Sequence, residues 1–161
     1  MPDPRAEVAV IGAGVVGLAT AVALADAGVD VRCFERAEPG AAGSAGLTRI
    51  FRHLHGTAEM VALSVRSRAG WAEWERRARR RLVGDEGLLA LHEHPERALA
   101  LLADAGVPGR LLDAEGQSAT LPALRSGASR AILDPGGGAI RVRRTVDLLA
   151  SWLGPRLVRE E

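Results

Sequence analysis

The sequence predicts an α/β fold that opens on a parallel sheet with flanking helices, and three observations predict it. A short apolar run, Glu7 to Ile11, leads directly into a glycine-rich turn, Gly12 to Gly17. Its length and valine content read as a buried strand. An apolar helical stretch, Val15 to Ala27, is closed by Gly28, where glycine suits the end of a helix. A second strand-like run, Val29 to Glu35, completes a strand–turn–helix–strand order. That order is the mark of a right-handed βαβ unit with parallel strands.

The chain has 161 residues, 47% hydrophobic and 25% charged, the range of a globular domain with a real core. Its formal charge of +1 selects no class of partner. All 21 basic residues are arginine, so no lysine chemistry can come from this stretch. The single cysteine, Cys33, excludes an internal disulfide and fits a reducing cytoplasm. Met1 to Arg5 lack the apolar core of a signal peptide. The apolar run from Val15 to Ala25 is broken by Gly17 and Thr20 and is too short to span a membrane.

After Glu35 the pattern changes. Pro39 to Gly46 is small and loop-like, and Thr48 to His53 reads as a short helical turn. A long helix is expected from Thr57 to about Arg81. Met60, Leu63, Ser67, Trp71, Trp74 and Ala78 recur there at spacings of three and four and make one stripe. Trp71 and Trp74 read as core. Gly87 to Leu91 suggests a strand, and Pro95 to Ala105 a helix stopped by Gly106, Val107 and Pro108. Ala119 to Ala123, with Pro122, reads as irregular. Ala131 to Leu133 and Ala139 to Val142 look like strands around the turn Asp134 to Gly138. Val146 to Leu153 is a last helix, and Val158 can open a strand. These later segments do not read as a further βαβ repeat. A parallel sheet needs several strands covered by helices, so the architecture reads as unfinished at Glu161.

The chemistry begins at Gly12-Ala13-Gly14-Val15-Val16-Gly17. A bare GxGxxG is weak, but here it follows a strand and opens a helix, as its mechanism requires. Gly12 permits the tight turn, Gly14 lets a pyrophosphate approach the backbone, and Gly17 lets helix and strand pack closely. The helix N-terminus offers unpaired N–H groups and partial positive charge to the phosphates. Glu35 follows 23 residues after Gly12, at the end of the second strand. A carboxylate there accepts hydrogen bonds from the adenosine ribose and repels a 2′-phosphate, although Arg36 is adjacent. These residues read as an ADP-binding unit and leave FAD and NAD both open.

The next segment bears on that choice. Gly43-Ser44-Ala45-Gly46-Leu47-Thr48-Arg49-Ile50-Phe51-Arg52-His53 resembles the GS…TRIxRH signature of the sarcosine oxidase and N-methyl-amino-acid oxidase group, within the D-amino-acid oxidase superfamily of FAD enzymes. The resemblance continues through Met60 to Ser67 and Trp71 to Glu75, and returns at Asp134 to Ile140. It implies a Rossmann-like FAD-binding domain, incomplete here, with the start of a mixed or antiparallel substrate domain. Residues 1–56 would be the βαβ dinucleotide-binding unit and flavin loop, and 57–161 the helix and strands leading into the substrate domain. The resemblance implies FAD as cofactor. Gly12, Ala13, Gly14, Val15, Val16, Gly17, Glu35 and Arg36 would hold its ADP half, with Ser44 in the loop near it and Thr48 a further cofactor-binding residue. Arg49 would lie close to the flavin ring, and Arg52 would face the substrate pocket. Guanidinium is the preferred planar, bidentate partner of a carboxylate, which suits that role. A cation beside the flavin stabilises negative charge on the reduced ring. One departure is visible: the segment reads Ala45-Gly46-Leu47 where sarcosine oxidases carry a His-His pair, which argues against sarcosine itself. Cys33, inside a strand, does not match the family's later flavin-linking cysteine and reads as a small core residue.

The implied activity is oxidation of a C–N bond in a small-molecule amine or amino acid, with this stretch inactive by itself. A first rival, an NAD-dependent Rossmann dehydrogenase, should repeat βαβ soon after Glu35. A second rival is a non-catalytic nucleotide-binding module completed by a partner, whose exposed sheet edge would have to be covered. His53 and His55 read as hydrogen-bonded structural histidines before proton carriers. His92 and His94 have no metal-like partners. Arg76, Arg77, Arg79, Arg80 and Arg81 read as a solvated helix end that complements the dipole. Without a wider patch or interleaved aromatics they do not make a nucleic-acid site.

Overall fold

The computed structural model describes residues 6–92, 94–123 and 130–159. Met1 to Arg5 and Glu161, on which the readings of the two chain ends rest, lie outside them. In chain order the elements are β1 (Val8–Ile11), α1 (Val15–Asp26), β2 (Val31–Glu35), β3 (Thr48–Phe51), α2 (Ala58–Ala78) and β4 (Leu88–Leu91). There follow α3 (Pro95–Asp104), β5 (Arg110–Leu112), α4 (Ala114–Thr120), β6 (Ala131–Asp134), β7 (Gly138–Arg141), α5 (Val142–Leu153) and β8 (Leu157–Arg159). They form two compact units interleaved in sequence, residues 1–48 with 141–161, and residues 49–140.

The first unit is the parallel one. β1 pairs with β2, Val8 opposite Val31 and Ile11 opposite Phe34. α1 makes the crossover, burying Leu18, Ala21 and Val22, and the chain turns at Gly28 with φ +82°. A third strand joins from the far end of the sequence: β8 runs parallel to β2, Cys33 opposite Leu157 and Glu35 opposite Arg159. α5 packs on α1 and buries Val142, Thr145, Val146, Leu149 and Leu153, an amphipathic spacing of three and four. Arg159 ion-pairs with Glu38 at 3.1 Å, and Arg143 donates to the Pro39 carbonyl at 3.2 Å. The order β1-β2-β8 therefore contains one more parallel crossover than the sequence pattern shows.

The second unit is antiparallel. β6 lies between β4 and β5, with Leu88 opposite Asp134 and Arg110 opposite Leu133. Its core holds Leu54, Val61, Ala98, Leu102, Val107 and Ile132. α2 starts at Thr57, whose side chain accepts from the Met60 N–H, and ends at Arg79 in the left-handed conformation. Beyond it Glu75 accepts from the N–H groups of Leu82 and Val83, each at 2.9 Å, and from Arg68 at 3.3 Å. Burial raises the Glu75 pKa, but these donors outweigh it and hold the carboxyl below its ordinary value.

Several local expectations are corrected. Thr48 to Phe51 is a strand rather than a helical turn, because β7 lies beside it and supplies a ladder that local propensity cannot anticipate. α2 buries Val61 and Ser64, while Met60 and Leu63 are 45% and 50% exposed, so the stripe is not a core face. β5 and α4 went unread. α4 is capped by Asp113, which accepts from the Gly116 N–H at 2.9 Å, but its small polar residues carry no apolar period. Only Leu121 to Ala123 of the expected irregular stretch lie outside a helix or strand. The two strands expected around the Asp134 to Gly138 turn are present as β6 and β7; β6 joins β4 and β5, and β7 joins β3. α5 begins at Val142, earlier than Val146.

Candidate functional site

The first unit places its site residues with backbone geometry. Gly12 has φ +97°, a conformation L side chains rarely adopt. A Cβ on Gly17 would stand 1.9 Å from the Gly12 carbonyl oxygen, so only glycine lets the helix start this close to the loop. Gly14 is the N-cap of α1, with no side-chain cap and no acid in the first turn. The positive end of the helix is therefore not neutralised by its own sequence. Val15 is the first helical residue, and its N–H donates to Ser44 Oγ at 2.9 Å. A Cβ on Gly14 would meet that oxygen at 3.2 Å, so this glycine also admits Ser44. The Ser44 hydroxyl keeps its own proton to donate to an incoming anion. Ala13 is fully buried, whereas Val16 is 77% exposed.

Glu35, at the end of β2, closes the arrangement. Its Oε2 accepts from the Ala13 N–H at 2.7 Å and its Oε1 from the Ala37 N–H at 3.0 Å. These amides, Ala13 first, hold the carboxyl below its ordinary pKa. Each oxygen retains a lone pair for a hydroxyl. Glu35 and Arg36 line a cleft of about 510 Å³ with Ile11, Gly12, Phe34 and Val158. Ile11, Phe34 and Val158 were not picked out from the sequence. Val158 comes from β8, whose position beside β2 is not a local property. A glycine cradle, an unneutralised helix N-terminus and a carboxylate at the strand end are the donor and acceptor set an ADP moiety needs. The residues present fit that half of FAD.

Cys33 is fully buried, as its strand position suggested. Burial first, and Glu35 second, push its thiol pKa up.

Thr48 and Arg49 are exposed on β3. Arg52 and the remaining candidates belong to the second unit. Arg52 is exposed between two buried neighbours, Phe51 and His53, whose rings meet edge to face at 5.1 Å. His53 is held by Asp134. The carboxylate accepts the His53 N–H at 2.7 Å and faces the ring Nδ1 at 3.1 Å, and it also accepts from the N–H groups of Gly136 and Gly137. Asp134 is fully buried and His53 nearly so, which makes this a structural clamp at the end of β3. His55 differs. It lines a groove of about 280 Å³ together with Arg52 and residues of the α2 stripe. Arg49 is not among the groove's lining residues. Trp71 and Trp74 stack edge to face at 5.3 Å, and Trp71 faces the groove, a correction to its reading as core. Among the described residues no cluster could hold a metal ion, and no helix is long and apolar enough to cross a membrane.

Comparison with known proteins adds four findings. The model of a family described as FAD dependent oxidoreductase matches residues 7–157. A curated protein, 3-amino-4-hydroxybenzoate 2-monooxygenase of Streptomyces cremeus, is 42% identical over 83 residues, covering 45% of this chain and 21% of that protein. L-proline dehydrogenase from P. horikoshii superposes with a TM-score of 0.83 at 21% identity, over 100% of this chain and 45% of that one. NikD, described as an unusual amino acid oxidase essential for nikkomycin biosynthesis, superposes with a TM-score of 0.77 at 24% identity, over 96% and 42%. The likeness to these two structures is one of fold, and the chain spans less than half of either.

Proposed function

This chain belongs to the FAD dependent oxidoreductase family, and from that premise we propose that a protein carrying it oxidises a C–N bond of a small amine or amino acid. The observation that carries the reading is the Gly12–Gly17 cradle with Glu35 anchored to its Ala13 amide. FAD, the family's cofactor, supplies the two-electron chemistry when bound. The chain's own contribution is binding and charge. The cradle and the α1 N-terminus hold the pyrophosphate, Ser44 donates to it, and Glu35 accepts from the ribose. Arg36 sits at the cleft rim. Thr48, at the start of β3, would be a further cofactor contact, Arg49 would stabilise negative charge gained by the flavin, and Arg52 would take a substrate carboxylate.

The finer placement beside the sarcosine oxidase group rests on Gly43-Ser44 and Thr48 to His53. A cytoplasmic setting rests on Cys33 being the single, buried thiol. The test is a titration with ADP, the half of the cofactor these residues serve, followed by absorbance of retained FAD after desalting. Glu35→Ala should weaken ADP about ten- to hundredfold, the worth of hydrogen bonds to a charged group. Unchanged ADP affinity in that variant would remove Glu35 from the site.

A further inference from the structure

The groove of the second unit joins features the implied roles leave unused. Its walls are Ile50, Met60, Leu63 and Trp71, with Arg52 and His55 as its basic groups and no carboxylate among the described residues of its lining. Ile50 on β3 and Met60 and Leu63 on α2 are large apolar side chains 66%, 45% and 50% exposed. Exposed apolar side chains grouped in one groove mark binding surfaces more often than scattered ones do. In its neutral form the His55 imidazole carries one acceptor nitrogen.

We propose that this groove takes an amino acid with an apolar, preferably aromatic, side chain, its carboxylate on Arg52, and that His55 receives the proton of the substrate ammonium group. The proposal rests on the reading of Arg52 given above and adds to it a side-chain class and a proton acceptor. In the step, an N–H bond of the ammonium breaks, its electron pair stays on nitrogen as a lone pair, and the proton forms a new N–H bond on the His55 ring. Nothing is oxidised or reduced. The free amine so produced is the form whose C–N bond can be oxidised.

The surroundings of His55 favour its neutral form. Burial lowers its pKa first, and the Arg52 charge and His53 lower it further, against the opposing bond to the Arg52 carbonyl. On its other side His55 lines a smaller cleft of about 150 Å³ with His92, His94 and Arg97. Asp134 is the acid bound to neighbouring His53, and no acidic side chain is among the described lining of either cleft. His55 is therefore ready to accept a proton at neutral pH, and that readiness is lost as pH falls through its lowered pKa.

Two experiments test this. On the chain itself, phenylacetate is titrated against tryptophan fluorescence, with Trp71 as the reporter. Binding should weaken at least tenfold in Arg52→Ala. On a flavin-loaded protein that carries this chain, kcat/KM for phenylalanine should exceed that for glycine at least tenfold. In His55→Gln it should fall about a hundredfold, the usual scale of a positioned base. The ascending limb of its pH profile should move from the imidazole range to the ionisation of the free amine. His55→Asn serves as the second variant, with flavin retention and melting temperature as fold controls. If Arg52→Ala binds phenylacetate normally, the carboxylate reading itself fails. If Arg52→Ala behaves as expected but both His55 variants keep the wild-type rate and pH profile, the proton-acceptor assignment alone is overturned. Glycine turned over as well as phenylalanine would overturn the apolar class.

Discussion

The two units present their candidate ligands with different parts of the chain. In the parallel unit the work falls to the backbone: the left-handed Gly12, the absent side chains at Gly14 and Gly17, and the amides at the start of α1. Glu35, the carboxylate in the described lining of its cleft, is itself fastened to a main-chain N–H. In the antiparallel unit side chains do it. Asp134 gathers the amide and ring of His53 with two glycine amides, and Arg52 and His55, which flank His53 in sequence, line one groove. A backbone site tolerates no added atoms. A side-chain site tolerates substitutions around it but depends on its few buried polar anchors.

The largest effect expected from this contrast is in the second unit. Asp134→Ala strands several buried donors at once and should cost about 4 kcal/mol, read as a fall in the urea midpoint. Asp134→Asn, which keeps an acceptor oxygen, should cost distinctly less. Equal costs for the two would mean that the clamp is packing rather than hydrogen bonding. Next is Gly17→Ala in the first unit. Alanine is the better helix former, yet its Cβ would meet the Gly12 oxygen at 1.9 Å. Overpacking of this kind should cost about 3 kcal/mol and abolish ADP binding. A neutral or stabilising result would show that the loop can move and that the backbone does not define the site.

The smallest effect concerns pH. The folded Glu35 pKa lies below its unfolded value because Ala13 and Ala37 donate to it. Its contribution to stability is therefore full above the ordinary carboxylate range and is lost as pH falls through the depressed value. Glu35→Gln should flatten that part of the acid unfolding curve, and an unchanged curve would show that the Ala13 contact is energetically idle.

Legibility in the sequence follows the same division. Gly12, Gly14, Gly17 and Glu35 could be read because each serves a backbone requirement that leaves a residue type at a fixed spacing. His55 could be seen but not separated from His53. The two are separated by Leu54 alone in the chain beyond β3, and only Asp134, opposite Leu88 in a distant strand pair, tells them apart. The stripe on α2 was visible as apolar, but periodicity names a face without saying what covers it.

By itself the sequence determined the βαβ unit, the glycine cradle and the carboxylate at its strand end, since these arise from consecutive residues obeying local sterics and turn chemistry. Tertiary structure alone decided that β8 returns beside β2, that Thr48 to Phe51 extends against β7, and that His53 is clamped while His55 faces a groove. Those outcomes depend on pairings between segments far apart in the chain. A strand's neighbour is chosen by burial and ladder hydrogen bonds across the whole fold, and no spacing within one segment encodes that choice.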